Sequence, residues 1–285
     1  MQIPLGTPFV HAKYCYAGSM HHVAGPRSAD MLRAAMGWLK KILGDSRDKS
    51  SMDLSVLQAR REMIWSALGH VTPEVLSRLV PGSVPWPTSM LGKMRTIIRP
   101  RDLLLVTEGL SDPYKPELHP KPPAGPLDFE LCLPIDLDDP SAASDVALAD
   151  GPWPKLLYAL ADVLVEEWID LRGPLARHGA ITCQAPIGRG FGHGLEKDGV
   201  VGYLIGMPFD GSRDFDKAFF FNDFYAGLPV PYSHAAIGLL TVKVLRPGEL
   251  AWAIARGDDG ARKLAEEFIV RGDAHRNGIG LAPLH

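Results

Sequence analysis

The sequence has few cysteines and offers no framework for disulfide bonds. Only three cysteines occur in 285 residues, at positions 15, 132 and 183, and none belongs to a Cys-x-x-Cys pair. A small secreted domain held by disulfides would carry an even number of cysteines at closer spacing. We therefore expect free thiols in a reducing compartment.

The sequence also lacks a segment suited to crossing a membrane. Its longest uncharged run, residues 224–242, spans 19 residues but contains Gly227, Pro229, Pro231 and His234. A lipid-spanning helix would tolerate these residues badly. The N-terminal segment has neither the basic start nor the unbroken apolar stretch of a secretory signal. We expect a cytoplasmic protein that does not contact membranes.

Basic charge is not in excess, which argues against a general nucleic-acid binder. The net charge is −3, and 46% of the residues are hydrophobic, as in an ordinary globular protein. Residues 1–95 hold 12 Lys and Arg against 6 Asp and Glu, whereas residues 96–285 hold 18 against 27. Within residues 128–150 there are seven acidic residues and no basic one. This segment indicates either a solvated acidic face or a surface that attracts a basic partner.

The N-terminal third has the spacing of helices. Apolar residues recur every three or four positions over 28–43 and again over 51–68, where Arg61 shares the apolar stripe. Thr72 followed by Pro73 predicts the cap and first turn of a short third helix.

The periodicity then changes to that of strands. Residues 103–106 form a short apolar run, and residues 127–135 alternate between apolar and polar side chains. The second pattern predicts a strand with one buried and one wetter face, and Pro134 suits its end or an edge. The proline-rich segment 112–126 between them predicts a long exposed loop.

The rest of the chain, from residue 152 onward, mixes helices and strands irregularly. A helix is predicted from Pro152 until Gly173-Pro174 stops it, and two short helices follow Pro247 and Gly260. Strands are predicted near 180–187, 199–207 and 237–245. The order predicts an α+β fold: a mixed, largely antiparallel β-sheet flanked by helices. Residues 1–50 are expected to form an N-terminal helical extension and residues 51–285 the α+β domain.

No group of residues indicates a catalytic centre, a metal site or a cofactor site. Residues 188–194 resemble a phosphate-binding loop, but His193 stands where the third glycine of GxGxxG belongs. A glycine-rich loop or hairpin is the simpler interpretation. An alternative is a hydrolase that uses His178, Cys183 and His193, which would have to converge in one pocket around a reactive thiol.

Three segments, in order, resemble the N-terminal domain of the suppressor of fused family. Residues 109–112 read Gly-Leu-Ser-Asp after a strand, residues 130–133 read Glu-Leu-Cys-Leu in the next strand, and Trp153-Pro154 opens a helix. The resemblance extends over about residues 55–270, with residues 202–208 as a central strand and 239–250 as the last strand and its helix. Residues 1–50 lie outside it.

The resemblance implies an α+β domain that binds another protein and performs no chemistry. Bacterial single-domain relatives look like immunity or adaptor proteins, which bind a cognate toxin domain or a regulatory partner. Animal members carry a second domain that helps to clamp a peptide, and this chain is too short to contain it. The segment 166–183 also departs from the family's pattern. An acidic patch would suit a basic toxin domain, such as a nuclease.

The acidic segment and its neighbours supply the candidate interface residues. Asp112 is expected to cap a turn, and Trp153 could equally pack against the helix that it introduces. A further alternative is a chain that dimerises through the helices at 28–43 and 51–68, so the oligomeric state stays open. The candidate partner-binding residues are Tyr114, Asp128, Asp136, Asp138, Asp139 and Trp153.

Overall fold

The architecture was determined as a computed structural model. It describes residues 9–11, 54–79, 81–82, 84–112, 114–115, 117–119, 127, 129–167, 169, 171–207, 238–272 and 276–284. The predicted helix at 28–43 lies outside the described residues, and residues 9–11 are the described part of the N-terminal segment 1–50. The strands are β1 (Phe9–His11), β2 (His70–Arg78), β3 (Lys93–Ile98), β4 (Asp102–Thr107), β5 (Phe129–Asp136), β6 (Ile181–Pro186), β7 (Glu196–Lys197), β8 (Val200–Ile205) and β9 (Gly238–Leu245).

Helices accompany this sheet along the described part of the chain. They are α1 (Leu54–Leu68), α2 (Asp145–Asp150), α3 (Pro152–Glu166), α4 (Arg172–His178), α5 (Pro247–Ile254) and α6 (Gly260–Arg271). Short 3-10 helices occupy Pro140–Ala142 and Gly257–Asp259. Local chemistry sets several boundaries. The Ser144 hydroxyl accepts a hydrogen bond from Ala147 N at the start of α2, and Gly272, with φ +86°, ends α6 in the left-handed region.

All nine strands belong to one mixed sheet in the order β1-β2-β3-β4-β5-β9-β8-β6, with β7 also paired to β8. Every pairing is antiparallel except that of β5 with β9. The predicted α+β class with a largely antiparallel mixed sheet is confirmed. The helices predicted after Pro247 and from Gly260 are also confirmed, as are the strands near 103–106, 180–187, 199–207 and 237–245.

Helices cover both faces of the sheet. Helix α3 packs on one face, against side chains such as Leu131, Leu133 and Tyr203. On the other face, α1 covers β3 to β5 with Ile64 and Trp65. Helices α5 and α6 cover the β9–β8 part of that same face, because Leu239 and Leu245 of β9 lie an even number of residues apart and contact α1 and the α5–α6 pair respectively.

Strand β5 therefore has no wetter face, which corrects the expectation from its alternating sequence. All eight of its residues are buried, including Glu130 and Cys132 on the side that α1 covers. Pro134 is also an exception to its expected place, since it pairs with Leu104 inside the sheet. Pro134 lies beyond the residues of β5 that pair with β9. There the side-chain amide of Asn277 donates a hydrogen bond to the carbonyl oxygen of Pro134.

The helix predicted from Thr72 is wrong, because residues 70–78 form strand β2. This strand pairs with both β1 and β3, and its register shifts between Val71 and Val75. The shift accommodates Pro73, which lacks the N–H of an ordinary ladder residue. Strand pairing on both sides thus outweighs the local capping pattern.

Two further expectations are corrected. Helix α3 ends at Glu166, and Gly173-Pro174 lies in the first turn of α4 rather than stopping the longer helix. The segment after Asp112 is not wholly exposed, because Asp112 and His119 are both buried. Residues 120–126 of that segment lie outside the described residues.

Candidate protein-binding surface

The Gly-Leu-Ser-Asp turn after β4 is fastened by the carboxylate of Glu130. That carboxylate is completely buried and accepts hydrogen bonds from the main-chain N–H groups of Gly109 at 2.9 Å and Ser111 at 3.1 Å, with Leu110 at 3.3 Å. The hydroxyls of Thr107 and Ser111 each donate to it at 2.7 Å. Gly109 has φ +120°, a conformation that favours glycine. The turn therefore has a fixed shape.

Arg61 of α1 reaches into the same network. Its guanidinium pairs with the carboxylate of Asp112 and lies 3.3 Å from Glu130 Oε1. The Thr88 hydroxyl donates to the second oxygen of Asp112 at 2.8 Å. Burial raises the pKa of Glu130, while Arg61 and the hydrogen bonds from Ser111 and Thr107 oppose that shift. Asp112 thus belongs to a buried ion pair rather than capping a turn, which corrects the expectation for it.

Tyr114 follows this turn and is half-buried. Its ring lies edge-on to the ring of His119, with 5.1 Å between their centroids. His119 Nε2 lies 3.1 Å from the carbonyl oxygen of Trp86, and Lys115 N donates to the carbonyl of Pro87. Tyr114 therefore lies on a segment that is fixed against the β2–β3 connection, well away in sequence from the acidic candidates.

The acidic segment 128–150 does not form one surface. Glu130, Asp136 and Asp139 are buried, and the side chain of Asp128 lies outside the described residues. Asp136 pairs with Arg276 at 2.9 Å and also accepts a hydrogen bond from Asp138 N at 3.1 Å. Three of this segment's seven acidic groups, those of Glu130, Asp136 and Asp139, are thus bonded within the fold.

Asp139 also has several internal partners. It accepts hydrogen bonds from the main-chain N–H and the hydroxyl of Ser141, from Ile279 N at 2.7 Å and from Trp153 Nε1 at 3.4 Å. Burial opposes its ionisation, but the hydrogen bonds from Ser141 and Ile279 outweigh that effect and lower the pKa of Asp139. Its carboxylate holds the turn before α2 against the C-terminal segment.

Trp153 is part of the core. Its side chain is 1% exposed and packs in the cluster that joins α3 to the sheet. The interpretation that it packs against the helix it introduces is the one that the structure supports. A partner would reach neither its ring nor the carboxylate of Asp139 without local rearrangement.

What remains at the surface is a smaller set of side chains on the turn after β5 and on α2. Leu137 is 40% exposed and Val146 is 62% exposed. Asp138 and Asp150 are exposed, and Asp145 is half-buried. Helix α2 packs against the 3-10 helix that separates the two groups. We call this set the acidic turn surface: Leu137, Asp138, Asp145, Val146 and Asp150.

The glycine-rich segment is a loop between β6 and β7. The carboxylate of Glu196, from the same chain, accepts hydrogen bonds from main-chain N–H groups in and next to this loop. Gly190 N donates to Glu196 at 3.1 Å, and Gly199 N donates to the same carboxylate at 2.6 Å. Gly188 and His193 have positive φ values of 91° and 59°. Glycines such as Gly188 thus allow the positive φ angles of the loop. Two of the nearby N–H groups already donate hydrogen bonds to the carboxylate of Glu196.

The residues of the hydrolase alternative lie on three different elements. His178 ends α4, Cys183 lies in β6, and His193 lies in the glycine-rich loop with its ring edge-on to Phe191. Burial raises the pKa of the Cys183 thiol, although a hydrogen bond involving Gln184 opposes the shift. A nucleophilic cysteine needs the opposite shift. Within the described ranges, no group of three His, Cys, Asp or Glu residues could hold a metal ion.

Comparison with known proteins found no relative. No family model matches the chain, and neither the curated proteins nor the solved structures include a significant match. Among the helices that the structure describes, none is long and apolar enough to cross a membrane.

Proposed function

We propose that this protein is a non-catalytic protein-binding domain of the suppressor of fused type, which acts as an immunity or adaptor protein. Its partner is a basic protein, such as a toxin domain, and it binds the acidic turn surface. The observation that carries the proposal is the exposure of Leu137 and Val146 beside carboxylates. Apolar anchors ringed by charge of one sign are typical of surfaces that bind a partner of the opposite sign.

The resemblance to the family supports the proposal through the role of its motif residues. Glu130 and the turn at residues 109–112 form one buried network, so two of the three quoted segments depend on each other. The third segment opens α3, the helix that covers the same sheet. Residues with such structural roles account for the motifs without any chemistry at the site.

The surroundings of the acidic turn surface support a rigid docking site. Asp136 and Asp139 tie the turn to the C-terminal segment through Arg276 and Ile279. A surface that is already ordered loses little conformational entropy when a partner binds. The free thiols of Cys132 and Cys183 suit a reducing compartment, and we propose a cytoplasmic location.

The test is affinity capture of the tagged protein from its own cells, with identification of bound proteins by mass spectrometry. The variant Asp138→Lys/Asp150→Lys reverses two exposed charges of the acidic turn surface. Its matched control, Glu166→Lys/Glu167→Lys, reverses two exposed charges at the end of α3. The proposal expects one basic protein, in a fixed ratio, that the first variant loses and the control retains.

Two outcomes would count against this proposal. Equal capture by both variants would place the partner's site elsewhere on the chain. Absence of any captured protein, with a chemical change detected when the protein is incubated with metabolite or peptide pools, would favour an enzyme. Loss of that activity in Cys183→Ala would then assign it to the hydrolase alternative.

A further inference from the structure

The carboxylate of Asp136 joins the turn after β5 to the C-terminal segment. One of its oxygens accepts a hydrogen bond from Asp138 N at 3.1 Å, and the other accepts one from Arg276 Nη1 at 2.9 Å. The main-chain N–H of Asp136 also donates to the carbonyl oxygen of Asn277 at 2.8 Å. The start of the turn is thus bonded to two consecutive residues of the C-terminal segment.

Asp139 makes the same kind of connection at the end of the turn. Its Oδ1 accepts hydrogen bonds from the main-chain N–H and the hydroxyl of Ser141, at 3.0 and 2.5 Å, and its Oδ2 accepts one from Ile279 N at 2.7 Å. Leu137 and Asp138, two members of the acidic turn surface, lie between the two bridging carboxylates in the chain. The position of this part of the surface therefore depends on the C-terminal segment.

The C-terminal segment has a second set of anchors at the junction of β9 and α5. The guanidinium of Arg246 donates to the carbonyl oxygens of Ile279 at 2.9 Å and Leu281 at 2.7 Å. The carboxylate of Glu249, which is buried, accepts a hydrogen bond from Leu284 N at 3.0 Å. Ile279 is thus held by the turn through its N–H and by Arg246 through its carbonyl oxygen.

We call residues 276–284 the C-terminal strap. Asn277 is its only buried residue, and three of its nine residues are exposed. Its apolar side chains Ile279 and Leu284 are half-buried and pack against two different clusters, one beside α3 and the other between α5 and α6. A segment with so little buried apolar surface is expected to open locally at a lower free energy than the strands beside it.

We propose that the C-terminal strap holds the acidic turn surface in the conformation that the partner binds, and that Arg246 is a positioning residue for this surface. The inference rests on the proposed function, because it concerns the regulation of the same surface. Arg246 acts through Ile279, whose N–H bonds to Asp139. When the strap is released, Asp139 loses this bond and the turn gains freedom. The fraction of molecules ready to bind then falls, and the apparent affinity falls by the same factor.

The test is hydrogen exchange of the full chain, followed at single amides by NMR. Arg246→Met removes both bonds to the carbonyl oxygens of the strap. The amides of Ile279 and Ser141 are then expected to exchange faster by similar factors, of about tenfold or more, because hydrogen bonds from a charged donor are lost. Arg246→Lys keeps a charged donor and should restore part of the protection. The amides of β4 should be unaffected, and so should all of these amides in the control Arg256→Met, at an exposed arginine.

Binding is measured in the same variants by affinity capture, with the protein that the unaltered chain captures as the probe. At limiting concentration, Arg246→Met is expected to capture about tenfold less of it, in line with the change in exchange. Arg246→Lys should capture an intermediate amount, and Arg256→Met as much as the unaltered chain. A role for Arg246 confined to the β9–α5 junction would change neither Ser141 exchange nor capture.

Two results would overturn the inference: unchanged exchange of Ser141 in Arg246→Met, or faster exchange of Ser141 with unchanged capture. If Arg246→Met does not fold, Ile279→Ala loosens the strap by removing an apolar contact, and the same two results decide. If the unaltered chain captures no protein, the proposed function fails and the role of the strap in binding fails with it. The exchange results still decide whether the strap holds the turn, so the two failures are distinguishable.

Discussion

Glu130 shows how one buried carboxylate can organise several segments. It is enclosed by β4, the turn that follows and α1, and all of its described partners are donors. Removing it would leave three main-chain N–H groups without this acceptor, and would leave Arg61 with Asp112 as its remaining carboxylate partner. Each buried N–H group without an acceptor costs about 1 to 3 kcal/mol, which is large compared with the stability of an ordinary domain.

We predict that Glu130→Ala lowers the free energy of unfolding by about 3 to 5 kcal/mol, as expected when one partner of a buried ion pair is removed. Urea unfolding followed by circular dichroism measures this as a lower midpoint. Glu117→Ala, at an exposed acidic residue, is the control and should leave the midpoint unchanged. A Glu130→Ala midpoint equal to that of the control would show that the network contributes nothing.

Asp139 provides a prediction with a defined dependence on pH. Its pKa is lower in the folded protein than in the unfolded chain, where aspartate titrates at about pH 3.9. The stability that its ionised form contributes is therefore present above that value. It is lost as the pH falls through the folded pKa.

The corresponding measurement compares the unaltered chain with Asp139→Asn across this range. The unaltered chain should have the higher urea midpoint at neutral pH, and the two midpoints should converge below about pH 4. Asp138→Asn, at an exposed neighbour, serves as the control. A difference that stays constant down to acid pH would contradict the assigned hydrogen bonds.

The sequence shows which residues of the segment 128–150 are acidic, but it does not show which of them are buried. Arg61 in an apolar stripe was a usable signal, because a buried arginine requires a buried acid. Asp138 and Asp139 are adjacent and look alike in the sequence. Asp138 is exposed, whereas Asp139 is bonded to Ile279, a residue far along the chain, and no local pattern indicates this difference. The apolar members of the acidic turn surface, Leu137 and Val146, were missed for the same reason.

At the scale of elements, the side chain of Asn277 extends the join between β5 and β9. These parallel strands pair only over Phe129–Cys132, and beyond that point Asn277 fills the gap. Its amide nitrogen donates to the carbonyls of Pro134 and Val242, and its oxygen accepts from Val244 N at 2.7 Å. This amide thus links β5 to β9 beyond the end of their direct pairing.

We predict that Asn277→Ala lowers the free energy of unfolding by at least about 2 kcal/mol, because it leaves buried backbone groups without partners. Hydrogen exchange should show faster exchange of the Val244 amide than in the unaltered chain. Gln184→Ala, at an exposed position of β6, is the control. An unchanged exchange rate at Val244 would show that Asn277 does not hold this join.

Elements with strong periodicity were predicted from sequence, whereas those defined by pairing were not. The apolar face of α3 and the short strands β6, β8 and β9 follow local patterns. Strand β2 was taken for a helix because its Thr72-Pro73 start resembles a helix cap. Its identity depends on neighbours that come from other parts of the chain.

At the scale of the whole molecule, helices cover both faces of the sheet, and this three-layer packing determines which surfaces are left exposed to bind a partner. The apolar stripe of α1 is used inside the fold, where Ile64 and Trp65 cover the sheet. These two side chains are therefore not available for dimerisation in this fold. The order of helices and strands indicated the class, but which helix covers which face follows from long-range packing.

The central claim is that the acidic turn surface binds a basic protein, and site-specific photo-crosslinking in the native cells tests it most directly. A photoreactive amino acid replaces exposed Leu137 in one variant and exposed Glu166 in another. The account predicts one basic protein crosslinked from position 137 and absent from position 166. No adduct from position 137, or the same adduct from both positions, would contradict it.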